Sequence, residues 1–253
     1  MSKLHITPAH LICLSFLAIM VMISGCSTPQ EMSYVALGDS IPAGWGVGDE
    51  NYVELFAEYL EQDLGGEVIV HNLGFPGQTT SELLNRLQTN AAWREAVAGA
   101  DVITVWIGWN DLGFPVSQYE KGICGGDENL DCMREKVGQV NESIDATLDE
   151  ILALNSSDDT RIMIANNVLG SRMVTDWNDN GWFDVLQKEA YESWHDHLVQ
   201  AAHERGNIVV DTYRGVNGPA GDQANEGVFL SDGLHFNAEG HKLLADLHRE
   251  AWE

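Results

Sequence analysis

The chain has 253 residues, 44% of them hydrophobic and 21% charged, and its 39 Asp and Glu against 13 Lys and Arg give a formal net charge of −26. So acidic a surface repels phosphate backbones, which excludes nucleic acid as a partner, and it opposes adsorption to anionic lipid. The length accommodates one sizeable core and is short for two domains.

The elements are taken from the N-terminus. Lys3 opens a weakly basic start, and Leu11 to Ile23 is an apolar run of thirteen residues. A bilayer-spanning helix needs about 20 such residues, so the run reads as the core of a signal peptide. It ends in Ile23-Ser24-Gly25-Cys26, which resembles a bacterial lipobox. The resemblance implies that the Cys26 thiol is acylated and becomes the new N-terminus; an ordinary signal peptide or an uncleaved anchor is the alternative. The expected organisation is a lipoprotein signal peptide over residues 1–26, a tether over 27–33 and one folded domain over 34–253. The protein is then exported and lipid-anchored at the periplasmic or extracellular face of the envelope. Beyond Cys26 the chain keeps 12 Lys and Arg against 39 Asp and Glu, a formal charge of −27.

Tyr34-Val35-Ala36-Leu37 is a short apolar run ending in Gly38-Asp39-Ser40, a buried strand running into a turn. Residues 51–63 place Val53, Phe56, Ala57 and Leu60 at helical spacing. Glu67 to Leu73 is a second strand, broken by Gly74-Phe75-Pro76-Gly77, and Thr79-Thr80-Ser81-Glu82 opens a helix with capping residues. Val102 to Ile107 is a third strand, ending at Gly108-Trp109-Asn110-Asp111. A long helix is predicted over 129–154, a strand over Arg161 to Ala165, a helix over 184–205, a strand over Ile208 to Asp211 and a closing helix over Ala238 to Trp252.

Strands and helices alternate, and the strands are apolar runs. That is the pattern of a parallel sheet covered on both faces, an α/β fold. Sites in such sheets lie at the carboxyl ends of strands. Ser40, Gly77, Asn110 and the Asp232/His235 loop all fall after predicted strands, so four polar signals converge on one edge.

The residue types at that edge suit one chemistry. A Ser hydroxyl needs a base to become a nucleophile, and His is the usual one. The His needs a carboxylate to fix its tautomer and steady the imidazolium. Asp232 precedes His235 by three residues in Ser231-Asp232-Gly233-Leu234-His235, with Gly233 easing the turn. An oxyanion needs donors, which the backbone N–H groups of Ser40 and Gly77 and the side-chain amide of Asn110 can supply. Asp39 and Asp111 read as locally hydrogen-bonded turn residues. His195, His197, His203, His241 and His248 fall on predicted helices and read as surface or packing residues.

Gly38-Asp39-Ser40 with Gly44, Asn72 through Gly77, Gly108-x-Asn110-Asp111 and Asp232-x-x-His235 together resemble the four blocks of the SGNH (GDSL) hydrolases, in order and spacing over residues 34–250. The resemblance implies a three-layer α/β/α sandwich, flavodoxin-like, with a five-stranded parallel sheet in the order 2-1-3-4-5. It implies Ser40 as nucleophile, Asp232 and His235 completing the triad, and Ser40, Gly77 and Asn110 as the oxyanion hole. Ile41 stands where the family often has Leu.

Cys124 and Cys132, the even pair left once Cys13 departs with the signal and Cys26 is acylated, are expected to form a disulfide. Asp176, Asn178, Asn180 and Asp184, with Gly181, resemble the first nine positions of a calcium loop, but position twelve is Gln187 and not a bidentate acid. A polar loop is the reading preferred there, and no metal or cofactor is expected. Trp45, Trp109, Phe114, Trp177 and Trp182 either ring the site or belong to the core. The expected substrate is a carboxylic ester of short to medium acyl length, with a carbohydrate O-acetyl ester, a lysophospholipid or a thioester as alternatives. A non-catalytic lipid-anchored binding module is the alternative from another class. A monomer is expected, touching the membrane through its anchor alone.

Overall fold

The computed structural model describes residues 31–253. The apolar run, the lipobox with Cys26 and residues 27–30 of the tether lie outside the described residues. The sheet opens with β1 (Met32–Gly38), followed by β2 (Val68–Gly74), β3 (Val102–Trp106), β4 (Arg161–Ala165) and β5 (Ile208–Val210). All pairings are parallel, and the order is β2-β1-β3-β4-β5, as the family resemblance implied. Met32 and Ser33, placed in the tether by the sequence, pair with Val68 and Ile69 instead, so the sheet begins two residues early.

Alternation along the strands assigns the two faces. Val35, Leu37, Ile103, Val105, Ile162 and Ile164 point into one core, and Tyr34, Ala36, Val102, Trp106, Met163 and Ala165 into the other. The second core is closed by α1 (Tyr52–Leu64) and, at the end of the chain, α10 (Ala238–Trp252), which pack on each other. The first is closed by α2 (Thr80–Thr89), α3 (Ala91–Ala98), the long α5 (Asp131–Leu154) and α8 (Ser193–Glu204). Both faces of the central strands are therefore dry. β2 is an edge strand and only half-buried, with Ile69 exposed, so its apolar run does not report full burial.

Helix starts follow local chemistry. The Asn51 side chain accepts from the N–H of Val53 and Glu54 at the start of α1, and Thr79 and Glu82 form a reciprocal capping box on α2. Asn90 ends α2 and caps α3 with its side chain, so one residue separates two helices.

Four elements depart from the sequence expectations. α4 (Trp109–Glu120) is a helix with Pro115 inside it, where a turn was read. α6 (Ser171–Asp179) takes in the start of the polar stretch read as a loop, Asp176 to Asp179, because Val174 and Trp177 face the core three residues apart. The predicted helix over 184–205 is split into α7 (Phe183–Leu186), a π-helical segment (Gln187–Glu192) and α8. α9 (Thr212–Asn217) follows β5 directly. The disulfide between Cys124 and Cys132 is present, closing the loop ahead of α5. Among the described residues, no helix is long and apolar enough to cross a membrane.

Candidate active site

The carboxyl ends of β1, β2, β3 and β4 surround a cavity of about 340 Å³. Ser40 sits in the turn after β1, and His235 in the loop before α10. The Ser40 Oγ lies 3.0 Å from His235 Nε2, and His235 Nδ1 lies 2.8 Å from Asp232 Oδ2. Nδ1–H donating to a carboxylate leaves Nε2 unprotonated, free to accept the Ser40 hydroxyl.

Asp232 holds itself in place. Its Oδ1 accepts the N–H groups of Leu234 (2.9 Å) and His235 (3.0 Å) while Oδ2 takes the imidazole. Partial burial acts to raise its pKa, but these two N–H groups and the imidazole outweigh it and leave the carboxyl below its ordinary range. The carboxylate is thus kept ionised beside the base.

Gly77 and Asn110 line the same cavity. Gly77 has φ +80°, and a Cβ there would meet nothing within 4 Å, so the glycine serves its backbone conformation. Among the described residues, neither the Ser40 nor the Gly77 N–H donates to a protein acceptor. Asn110 lies in the first turn of α4. Its Nδ2 donates to the Gln78 carbonyl at 3.0 Å and, at a long 3.5 Å, to Asp39 Oδ2.

The surrounding bonds tie the first three blocks together. Asn72 donates from Nδ2 to the Pro42 carbonyl and accepts from the Gly74 N–H. The buried Gln78 donates to the Gly38 carbonyl. Asp111 accepts from both the N–H and the hydroxyl of Thr80, fixing the start of α2 to the start of α4; it is a helix residue bonded across the fold and not the local turn residue read from the sequence. Asp39 accepts from the Ile41 N–H, the local bond expected of it. Burial pushes its carboxyl up to about 7, with the Ile41 bond opposing and the Asp111 charge adding.

Of the aromatics named from the sequence, Trp45 and Trp109 line the cavity. The Trp45 ring is 53% exposed and its centroid is 5.8 Å from that of His235. Trp177 belongs to the core, Trp182 packs against it, and Phe114 is exposed and does not line the cavity. Asn167 and Val168, just beyond β4, also line it and carried no sequence signal. Four of the helix histidines are occupied elsewhere: His195 contacts Asn166, His197 contacts Asp145, His241 accepts from the Tyr52 N–H, and His248 donates to the Leu244 carbonyl.

The calcium-like stretch is spent on itself. Asn178 donates to the Val174 carbonyl and Asn180 to the Asp176 carbonyl, within and just after α6. No group of three or more His, Cys, Asp or Glu suited to a metal occurs among the described residues.

A hydrogen-bonded Ser–His–Asp series at the carboxyl edge of a parallel sheet is the arrangement found in serine hydrolases. A family model described as GDSL-like lipase/acylhydrolase matches residues 36–243, and the chain belongs to that family. It is 27% identical to the spore germination lipase LipC of Bacillus licheniformis over 225 residues, 88% of this chain and 97% of that one. The crystal structure of the lipase Lip_vut3 from a goat rumen metagenome superposes with TM-score 0.71 at 24% identity, over 87% of this chain and 97% of that one. The acetylxylan esterase Axe2 from Geobacillus stearothermophilus does so with TM-score 0.59 at 20% identity, over 87% and 93%. The family is one of ester hydrolases, and this chain is a carboxylic ester hydrolase by membership.

Proposed function

We propose that the protein is a serine esterase acting on carboxylic esters of short to medium acyl length through an acyl-enzyme on Ser40. The observation that carries this reading is the continuous chain Ser40 Oγ–His235–Asp232, with both hydrogen bonds at 3.0 Å or shorter. His235 Nε2 takes the Ser40 proton as Oγ attacks the ester carbonyl, and Asp232 steadies the imidazolium. The N–H groups of Ser40 and Gly77 meet the developing oxyanion. The Asn110 amide, one hydrogen held by Gln78 and the other only loosely by Asp39, offers that second hydrogen to the same oxygen. The alcohol leaves with the proton from His235, and a water deprotonated by His235 then hydrolyses the acyl-enzyme.

The largely apolar walls, with Ile41, Trp109, Val168 and Leu234, support an acyl chain as the bound group. The half-exposed Trp45 ring supports a second reading, an acetylated carbohydrate stacked at the mouth. A binding module without turnover has no support from a site in which all three groups are in contact. The thirteen-residue apolar run and the small residues before Cys26 support export and a lipid anchor on Cys26.

The test is hydrolysis of p-nitrophenyl acetate and butyrate by residues 27–253, beside Ser40→Ala and His235→Ala. Each variant is expected to lose about 10³-fold or more in kcat with unchanged folding. Equal rates in the wild type and Ser40→Ala would remove Ser40 as nucleophile.

A further inference from the structure

The two ends of the sheet are chemically different, and only one of them carries the lead to Cys26. Because all five strands are parallel, Met32, Val68, Val102, Arg161 and Ile208 share one edge, and Gly38, Gly74 and Trp106 share the other. Ser40 and the cavity lie beyond the second edge. β1 spans its seven residues at about 3.3 Å each, so the start of β1 and the site are separated by some 20 Å of strand.

Five residues, 27–31, join Cys26 to β1. Whatever their conformation, they reach at most about 18 Å. A domain of this size has a radius of gyration of about 17 Å, hence a diameter of about 45 Å. Turning the cavity toward the bilayer would require the tether to travel from the opposite edge around the side of the domain. It is too short by more than a factor of two. Glu67, Asp101, Asp158 and Asp159 are exposed around the edge where β1 starts, so that edge is not drawn flat onto anionic lipid either.

We infer that the anchoring bilayer faces the Met32 edge and that the mouth at Ser40 opens away from it. This rests on the proposed lipid anchor at Cys26. The ester then reaches Ser40 from the aqueous phase or from a surface opposite the anchor, not from the leaflet that holds the acyl chains. The substrate class is accordingly a soluble ester, or one displayed on a facing polymer or membrane.

The experiment uses the full lipidated protein in phosphatidylcholine vesicles carrying an acceptor dye on a headgroup lipid. A donor dye is placed on Leu64→Cys, at the end of α1 beside the Met32 edge, or on Phe75→Cys, just beyond β2 at the mouth. Both native side chains are about half exposed. The introduced thiol is the sole free one, since Cys124 and Cys132 are joined and Cys26 is acylated. With the two positions separated by the length of β2, transfer from the Leu64 position is expected to exceed that from the Phe75 position at least about twofold. Equal or stronger transfer from the Phe75 position would overturn the orientation. Failure of the protein to float with the vesicles, unchanged by Cys26→Ala, would instead remove the anchor, and the orientation with it.

Discussion

The buried carboxyl of Asp39 sets a measurable pH signature on the fold. The residue is 2% exposed and sits directly before Ser40. Burial, opposed by the Ile41 N–H and reinforced by the Asp111 charge, raises its pKa from the ordinary 3.8 to about 7. A raised carboxyl pKa means that the folded state holds a proton the unfolded state has released. Stability therefore falls as pH rises between those two values and levels off above them. At about 1.36 kcal/mol per unit, a shift of roughly three units amounts to about 4 kcal/mol across the window. Asp39→Asn keeps the shape and the acceptor for the Ile41 N–H, and abolishes the titration. It also sets an amide against the Asn110 Nδ2, a cost that does not vary with pH and so displaces the profile without tilting it. The assay is urea unfolding of residues 27–253, wild type and variant, from pH 4 to 8.5. The variant is expected to gain on the wild type steadily up to about pH 7, by up to about 4 kcal/mol, and then to run parallel. Contributions of His241 and His248 are common to both proteins and cancel. Parallel profiles over the whole range would refute the buried, neutral Asp39.

The same arithmetic with the opposite sign applies to His248, whose pKa burial lowers to about 4, the Leu244 carbonyl bond opposing. The unfolded chain takes up a proton near 6.5 that the folded one refuses, so stability is lost on acidification between 6.5 and 4; His248→Phe, which keeps the stacking on Tyr52, is expected to recover about 3 kcal/mol at pH 4 relative to pH 7.5, read by the same unfolding assay. Trp45→Ala removes one wall of the cavity. An indole half free in the unliganded protein can offer a substrate about 60 Å² of apolar surface, so kcat/KM for butyrate is expected to fall about tenfold with little change in Tm. An unchanged acyl-length profile would show that the ring is not part of the binding surface.

The sheet was legible because buried parallel strands leave short unbroken apolar runs, and because the first three blocks each fall at the end of one. The site was legible because Asp232 and His235 lie three apart and need only a turn between them. What stayed hidden depends on tertiary contact. Whether Asn110 opens a helix or a turn is decided by α4 packing Leu112 and Val116 into the core, despite Pro115. The Asp- and Asn-rich stretch at 176–180 becomes the end of a helix because Trp177 is buried, and no local propensity announces that. The π-helical segment inserts one residue per turn into an otherwise continuous helical pattern, a change too small to read from periodicity. Trp194, two residues past that segment, lies against Gly108, where φ is +128° and a Cβ would approach the ring to 2.9 Å. The glycine of the third block is thus demanded by a contact with a residue 86 positions away.

The bonds around the cavity divide the work of the site unequally. Asn72 to Pro42, Gln78 to Gly38, Asn110 to Gln78 and Asp111 to Thr80 lock the loops after β1, β2 and β3 into one frame. All four pairs cross from the end of one strand to the end of another, so the loops on that side are fixed before any substrate arrives, which is the condition for electrostatic stabilisation without reorganisation. The Asp232–His235 turn is held mainly by local bonds, those of Asp232 to the Leu234 and His235 N–H groups and the backbone pairing of Leu230 with Gly233 and His235, with Phe236 packed edge-on to Trp106. Its carboxylate is the more open partner, at 45% side-chain exposure against 17% for the imidazole. Loops cross-linked in this way beside a turn whose carboxylate reaches solvent suit the two-step reaction proposed above, in which His235 first accepts a proton from Ser40 and later activates a water against the acyl group.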